Sequence, residues 1–422
     1  MHYAAIGEVF RALTRFVARN LGLVLRNLLR HQVRMGMTLA AIAFGVAGLI
    51  LSGGFVHGIF HQLAEALIHS QSGHIQIARA GYFAHGTRSP DTFLISEPDT
   101  LKARIVRRPE VLDVMARIGF SGLLSNGRTD YPIVGEGIEP KQEAALGTFI
   151  FMIEGRNLAE TDHNGALLGE GLAKALKVHT GDMVTLLVAT TEGATNLLDF
   201  EVTGVFQTFS KDYDARIIKI PLLAAQELLS TRGANTLVVS LRETGHTSRV
   251  VKSLTREFAQ DRIEIKDWEQ LNDFYEKTVD LYDRLFGVLR LIVLLMVLLS
   301  VLNAVSVNVL ERVGEFGTMR ALGNRNSDVF KFVVLEGVVL GLIGALIGAL
   351  LGIALAWAIS AAGIPMPPPP NSNVGYTAEI RIEFSVIVGA FLVGVLATVL
   401  ASLLPAYRVS RIPIVEALRR IV

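Results

Sequence analysis

The sequence contains no cysteine and little charge: 19% of its 422 residues are Asp, Glu, Lys or Arg, against 51% that are hydrophobic. Without cysteine no part of the chain can be held by disulfides, so a domain exported from the cytoplasm must rely on its own core. A mean hydropathy of +0.44 with so few charges excludes an ordinary soluble enzyme. The net charge of +1 singles out no partner and gives no reason to expect nucleic acid. Also missing is any Gly-x-x-x-x-Gly-Lys-Ser/Thr loop of the kind that cradles phosphates. Gly169-Glu170-Gly171 opens like a dinucleotide fingerprint, but Lys174 stands where the third glycine belongs, so it reads as a turn before a helix.

What the sequence does contain is four long apolar runs. Crossing about 30 Å of hydrocarbon takes roughly 20 residues at about 1.5 Å each. Residues 37–56, 291–310, 332–362 and 384–404 meet that test, with Glu336 the one acid near the start of the third. About 230 residues separate the first run from the second, enough for one or two small domains. The first run begins too deep for a cleavable signal peptide and reads as an uncleaved signal anchor.

Short cytoplasmic segments carry the excess of Lys and Arg. Arg11, Arg15, Arg19, Arg26, Arg30 and Arg34 precede the first run. Arg312, Arg320, Arg325 and Lys331 lie between the second and third, and Arg408, Arg411, Arg419 and Arg420 follow the fourth. The connection between the third and fourth has only Arg381. Both termini are therefore expected in the cytoplasm, with the large domain outside.

The expected fold class is an α-helical membrane protein with four transmembrane helices and an α+β extracytoplasmic domain inserted between helices 1 and 2. The expected parts are a cytoplasmic amphipathic helix (1–36), transmembrane helix 1 (37–60) and the external domain (61–284), with a strand-rich subdomain at about 135–210. Transmembrane helix 2 (285–310), a cytoplasmic loop (311–331) and transmembrane helix 3 (332–362) follow. An external proline-rich loop (363–383), transmembrane helix 4 (384–404) and a cytoplasmic tail (405–422) complete the chain. In the first part Ile6, Val9, Phe10, Leu13, Phe16 and Val17 share a helical face opposite the arginine row, which suits an anionic inner leaflet. Strands are expected near 74–78, 111–118, 183–188, 201–206, 236–241 and 263–266, where β-branched residues cluster between turn residues.

Three side-chain groupings stand out. Gly337, Gly341, Gly344, Gly348 and Gly352 repeat on one face of the third run, and small residues at that spacing let helix backbones approach closely in lipid. Nothing in the pattern says whether the facing helix belongs to the same chain. His57, His61, Glu65 and His69 recur at i+4 beyond the first run, a set of metal or pH-sensing type. Such positions drift around a helix and rarely converge on one ion, and a solvated face is the plainer reading. The loop after the second run alternates charges with Phe316, Met319 and Leu322, a short apolar edge, and Gly323 is placed to end a short helix. Glu336 is expected to pair with an arginine of this loop.

The stretch from Glu311 through Gly352 resembles the permeases of the MacB, LolC/LolE and FtsX superfamily, in which a Glu-Phe-Gly-Thr-Met-Arg-Ala-Leu-Gly-like loop precedes a glycine-rich helix. Leu168-Gly169-Glu170-Gly171-Leu172-Ala173 with Thr180-Gly181-Asp182, Gly204-Val205-Phe206 with Asp212-Tyr213-Asp214, and the ending Pro405-Ala406-Tyr407-Arg408 with Pro413 and Glu416-Ala417-Leu418-Arg419 are similar to other parts of the same family. The resemblance implies a non-catalytic membrane subunit of the bacterial inner membrane. It implies pairing with a second permease copy or paralogue, and coupling to a separate cytoplasmic ABC ATPase that holds the ATP and Mg; no cofactor is expected in this chain. It implies that Glu311, Glu315, Phe316, Met319, Arg320, Leu322 and Gly323 form the coupling element, and that ATPase motion reaches the external domain by mechanotransmission. MacB carries its ATPase in the same chain and FtsX has a smaller external domain, so the layout is nearer the lipoprotein-releasing LolC/LolE branch. Release or export of a lipoprotein or other lipid-like substrate, with a periplasmic adaptor or carrier, is the expectation. An FtsX-like transducer controlling a periplasmic hydrolase and a MacB-like efflux component are the alternatives.

Overall fold

The computed structural model describes residues 32–86, 90–190, 192–368, 372 and 375–419, with Gly22 and Arg26. The amphipathic face built on Ile6 to Val17 lies outside the described residues. The chain divides into two compact units, one drawn from residues 1–60, 279–364 and 377–422, the other from 61–278 and 365–376.

The first unit is helical. Its elements are α1 (Gln32–Leu67) as far as Phe60, α2 (Asp273–Glu311) from Val279, α3 (Val313–Ala321), α4 (Asn326–Ala362), α5 (Phe384–Ser410) and α6 (Ile414–Arg419). Among the described residues α1, α2, α4 and α5 are the four helices long and apolar enough to cross a membrane. Several helix bounds differ from the sequence expectation. α1 outruns its apolar window because the following stretch lacks proline and keeps Phe60, Leu63, Ala64 and Leu67 at helical spacing, all of them buried. α4 starts at Asn326 rather than 332, where the Asp328 carboxylate accepts from the Arg325 backbone N–H at 3.0 Å.

Helix packing in this unit is set by α4's glycines. A Cβ on Gly337 would lie 2.6 Å from Ser402 Oγ, and one on Gly341 would lie 3.1 Å from Thr398 Cβ, both on α5. On the next turns the neighbour changes to α1. Cβ atoms at Gly344, Gly348 and Gly352 would meet Ile42 Cβ at 2.9 Å, the Ala43 carbonyl oxygen at 2.7 Å and Ala47 Cα at 3.2 Å. The facing helices are therefore in the same chain, and each glycine removes the atom that would hold them apart.

Among the described residues the main sheet of the second unit has ten strands: β1 (Ile75–Arg79), β2 (Val111–Ser125), β3 (Asp130–Ile138), β4 (Phe151–Gly155), β5 (Gly165–Gly169), β6 (Met183–Ala189), β7 (Thr195–Gln207), β8 (Ile217–Pro221), β9 (Thr236–Leu241) and β10 (Ile263–Asp267). They pair in the order β10-β1-β9-β2-β3-β8-β5-β7-β4, and β6 pairs with both β2 and β7. β2 serves two cores. Residues Val111 to Arg117 pair with β9, and Ile118 to Ser125 pair with β3. The first half joins a core of Ile75, Ile77, Val114, Leu237 and Val239 covered by helices Pro98–Ile105 and Thr247–Glu257. On the second half, β2-β3-β8-β5-β7-β6 close back on β2 as a ring of strands. The alternation that closes it is visible in the sequence. On β6 Val184, Leu186 and Val188 are buried, and on β7 Phe200 and Val202 are buried while Asp199 and Glu201 face out.

A charged cluster sits inside this unit. Arg117 on β2 donates to both oxygens of Glu143, from Nη2 at 2.9 and 2.7 Å, and Lys219 on β8 donates to the same carboxylate. Glu136 on β3 stands 3.6 Å from Lys219 Nζ and 3.9 Å from Arg117. Arg117 also donates to the Gln71 carbonyl in the π-helical turn Ile68–Ser72 that follows α1. Gly73 then turns the chain into β1 at φ +65, beside Val238, a place with neither the backbone conformation nor the room for a side chain.

The proline-rich connection contributes a short pairing of Pro365–Met366 with Tyr376–Thr377; Pro367 and Pro368 follow the first strand, and Pro369 and Pro370 lie outside the described residues.

Candidate functional site

The stretch singled out between the second and third apolar runs is α3. Arg312 occupies its N-cap position, almost fully buried, and its guanidinium is shared. Nη1 donates to both oxygens of Glu336 on α4 at 2.8 and 2.9 Å, and Nε donates to Glu315 at 2.9 Å. The same group lies 5.2 Å from the Phe316 ring centroid. The acid inside the third apolar window is thus paired with an arginine of the loop, as its cost in hydrocarbon requires. Burial works against the Arg312 charge, yet the facing Glu336 carboxylate holds it above its usual range.

The apolar edge read from the sequence is split by the fold. Phe316 is buried in the bundle core with Val313, Phe332 and Val333, because it points along the same side as Arg312. Met319 is half-buried against that core, and Leu322 alone is open, at 83% exposure. Glu311 and Glu315 are exposed on the outer side. Arg320 turns inward and donates to the Ile412 carbonyl, next to α6, which packs on α3 through Ala417. Gly323 ends the helix at φ +101. Its N–H reaches the Arg320 carbonyl at 3.0 Å, and the Asn324 N–H reaches that of Met319 at 3.1 Å, the Schellman pattern. Sequence reasoning expected Glu336 to pair with a loop arginine but did not say which, and it missed the support from α6. The partner is Arg312. No sequence signal pointed to the α6 contact.

The histidine row does not converge. Among the described residues no three His, Asp or Glu side chains form a set that could hold a metal. His61 and His69 flank Glu65 at 4.0 and 3.3 Å, and His69 Nδ1 also lies 3.2 Å from the Leu146 carbonyl. Thr244 donates to Glu65 at 2.7 Å. His74, not in the row, completes this network. The Leu241 N–H donates to its Nδ1, which leaves Nε2 to donate to Thr244 Oγ1 at 3.2 Å. Burial lowers His74 to about 4, so it is neutral there. His57 lines a separate groove in the helical unit.

Two family models match the chain: the MacB-like periplasmic core domain over residues 35–257 and the FtsX-like permease C-terminal domain over residues 287–414. Among curated relatives, the lipoprotein-releasing system transmembrane protein LolE of Haemophilus influenzae is 24% identical over 71% of this chain and 72% of its own length. LolC of the same type of system in Xylella fastidiosa is 21% identical over 90% of this chain and 92% of its own. The macrolide export ATP-binding/permease protein MacB 1/2 of Paracoccus denitrificans is 22% identical over 77% of this chain, which spans 49% of that longer protein. With the MacB-like core model alone covering more than half of its length, and the FtsX-like model matching the bundle that carries the Arg312–Glu336 pair, the chain belongs to the MacB, LolC/LolE and FtsX superfamily of ABC transporter permeases.

Proposed function

We propose that α3 is the docking element for a separate cytoplasmic ABC ATPase, which holds the ATP and Mg, and that its motion drives the external domain during release of a lipoprotein or other lipid-like substrate. The observation that carries this reading is the two-sided character of α3. Its inner side is fastened to the bundle by Phe316 and the Arg312–Glu336 pair, while Glu311, Glu315 and Leu322 stay on the outer side. A helix presenting an apolar residue among charges is what a groove on a partner takes up. An element tied at both ends to spanning helices transmits a push that a loose tail would not.

The arginine distribution supports a bacterial inner-membrane placement with α3 and both termini in the cytoplasm and the large domain in the periplasm. α2 supports pairing with a second permease, because only 11% of its apolar window is buried, against 44% for α1 and α4. The lipid-like substrate rests on the LolE and LolC relatives and on the scarcity of charge in the spanning helices, which argues against a wide aqueous path.

Leu322→Asp is the test. With 83% of the residue exposed, the fold should lose no more than about 0.5 kcal/mol. Co-purification of the ATPase, and ATP turnover in the reconstituted complex, should fall sharply. Full association and turnover in a folded variant would overturn the docking assignment, and mass spectrometry of what co-purifies with the parent would separate lipoprotein from a periplasmic hydrolase.

A further inference from the structure

Within the helical unit, α2 and α5 both touch α1, and residues of all three helices line a groove of about 540 Å³. Leu49 of α1 lies in its floor. Leu294 of α2 and Val386 of α5 line its walls, and Gly389 of α5 opens on it with no atom within 4 Å of where a Cβ would stand. Arg290 of α2 and His57 of α1 are the basic side chains of its lining. Among the described residues no carboxylate lies within ion-pair distance of Arg290, which stands at the start of α2's apolar window, at the depth where a bilayer's headgroups begin.

We propose that this groove binds an anionic phospholipid, its phosphate on Arg290 and His57 and one acyl chain laid along Leu49, Leu294 and Val386. The chemistry of the lining fits one amphiphile. A guanidinium offers two parallel N–H donors to phosphate oxygens, and it does so better where water is scarce. The rest of the lining offers only dispersion contacts. The cavity is in the size range of small-ligand pockets. Gly389 matters because a side chain there would occupy the acyl path instead of striking protein. The proposal requires the bundle to lie in a bilayer but is independent of what the assembly transports.

The test uses the purified full-length chain in detergent, mixed with equal amounts of dioleoyl-phosphatidylglycerol and dioleoyl-phosphatidylcholine and weighed by native mass spectrometry. The parent should retain one lipid with preference for phosphatidylglycerol. Arg290→Gln should reduce that preference about tenfold, the loss of one charge-assisted hydrogen bond. Gly389→Leu should expel the lipid altogether, while Arg284→Gln, on the same helix but not in the groove, should behave as the parent. A parent with no preference, Arg290→Gln and Arg284→Gln variants that match, or lipid retained by Gly389→Leu would overturn the proposal. So would a lipid-free dimer that Gly389→Leu dissociates, since the groove would then hold a second copy of the chain.

Discussion

The two units exclude solvent by different chemistry. In the strand-built unit the interior is filled by large side chains, Phe200, Phe206, Leu168, Ile218 and Leu124 among them, and burial from water drives the packing. In the helical unit the closest contacts run through glycine, alanine and threonine, because lipid offers no hydrophobic reward and only close approach gains dispersion energy. Each unit also buries charge. The strand-built unit closes Arg117, Lys219, Glu143 and Glu136 into one balanced cluster. The helical unit uses Arg312 and Glu336 to fasten the short α3 to the long α4. The same substitution should therefore act differently in the two places.

Glu143→Gln should have the largest effect, because it leaves Arg117 and Lys219 buried with only Glu136 to share, a loss of about 3–5 kcal/mol in stability. Burial by itself pushes the Glu143 carboxyl up, but the facing guanidinium and ammonium outweigh it and hold the group at about 2, against an ordinary 4.5. A carboxyl depressed on folding stabilises the fold fully above its unfolded value and ceases to do so as pH falls through the folded one. Near-ultraviolet circular dichroism of the purified chain should show the parent losing tertiary structure as pH drops from about 4.5 towards 2, with a weaker pH dependence in the variant. Identical acid profiles would show that the cluster does not stabilise the unit.

Gly348→Leu should come next, at the upper end of ordinary overpacking, about 3 kcal/mol, since its Cβ would lie 2.7 Å from the Ala43 carbonyl oxygen and 2.8 Å from Val46 Cβ. Thermal denaturation in detergent should begin in the helices while the strand-built unit keeps its own melting. A parent-like melting curve would mean that α1 and α4 are not in backbone contact.

Glu336→Gln should be mildest, about 1–3 kcal/mol, because Arg312 keeps Glu315 as a second partner. Limited proteolysis should cut near Arg320 faster in the variant than in the parent. Unchanged cleavage together with unchanged melting would show that the pair does not anchor α3.

Much of this arrangement was legible in the residues, and its gaps have physical causes. Six strands announced themselves through β-branched runs, whereas β3, β4, β5 and β8 did not. β3 carries Pro132, Gly135 and Gly137, and β5 reads Gly-Ala-Leu-Leu-Gly, too short and too uniformly apolar to show a period of two. β8 hides the buried Lys219 in its middle, an apparent contradiction until Glu143 arrives from elsewhere in the chain. At the candidate site, Gly323 correctly marked the end of α3, since a left-handed residue at that point favours glycine. The inward turn of Phe316 was not legible. The spacing of Phe316, Met319 and Leu322 fixes their relation to each other but not which of them faces the bundle.

The ring formed by β2, β3, β8, β5, β7 and β6 bears on how the unit avoids aggregation. A sheet exposed to other chains invites edge-to-edge pairing and aggregation, and this chain has no disulfides to lock a partly open fold. A closed ring gives those six strands pairing partners on both sides. The strands at the two ends of the order, β4 and β10, are five residues each, and β10 places Glu264, Lys266 and Asp267 along its length. Brevity and mixed charge are what natural sheets use to refuse strangers, so this unit guards its solubility through topology and charge alone, with no covalent cross-link.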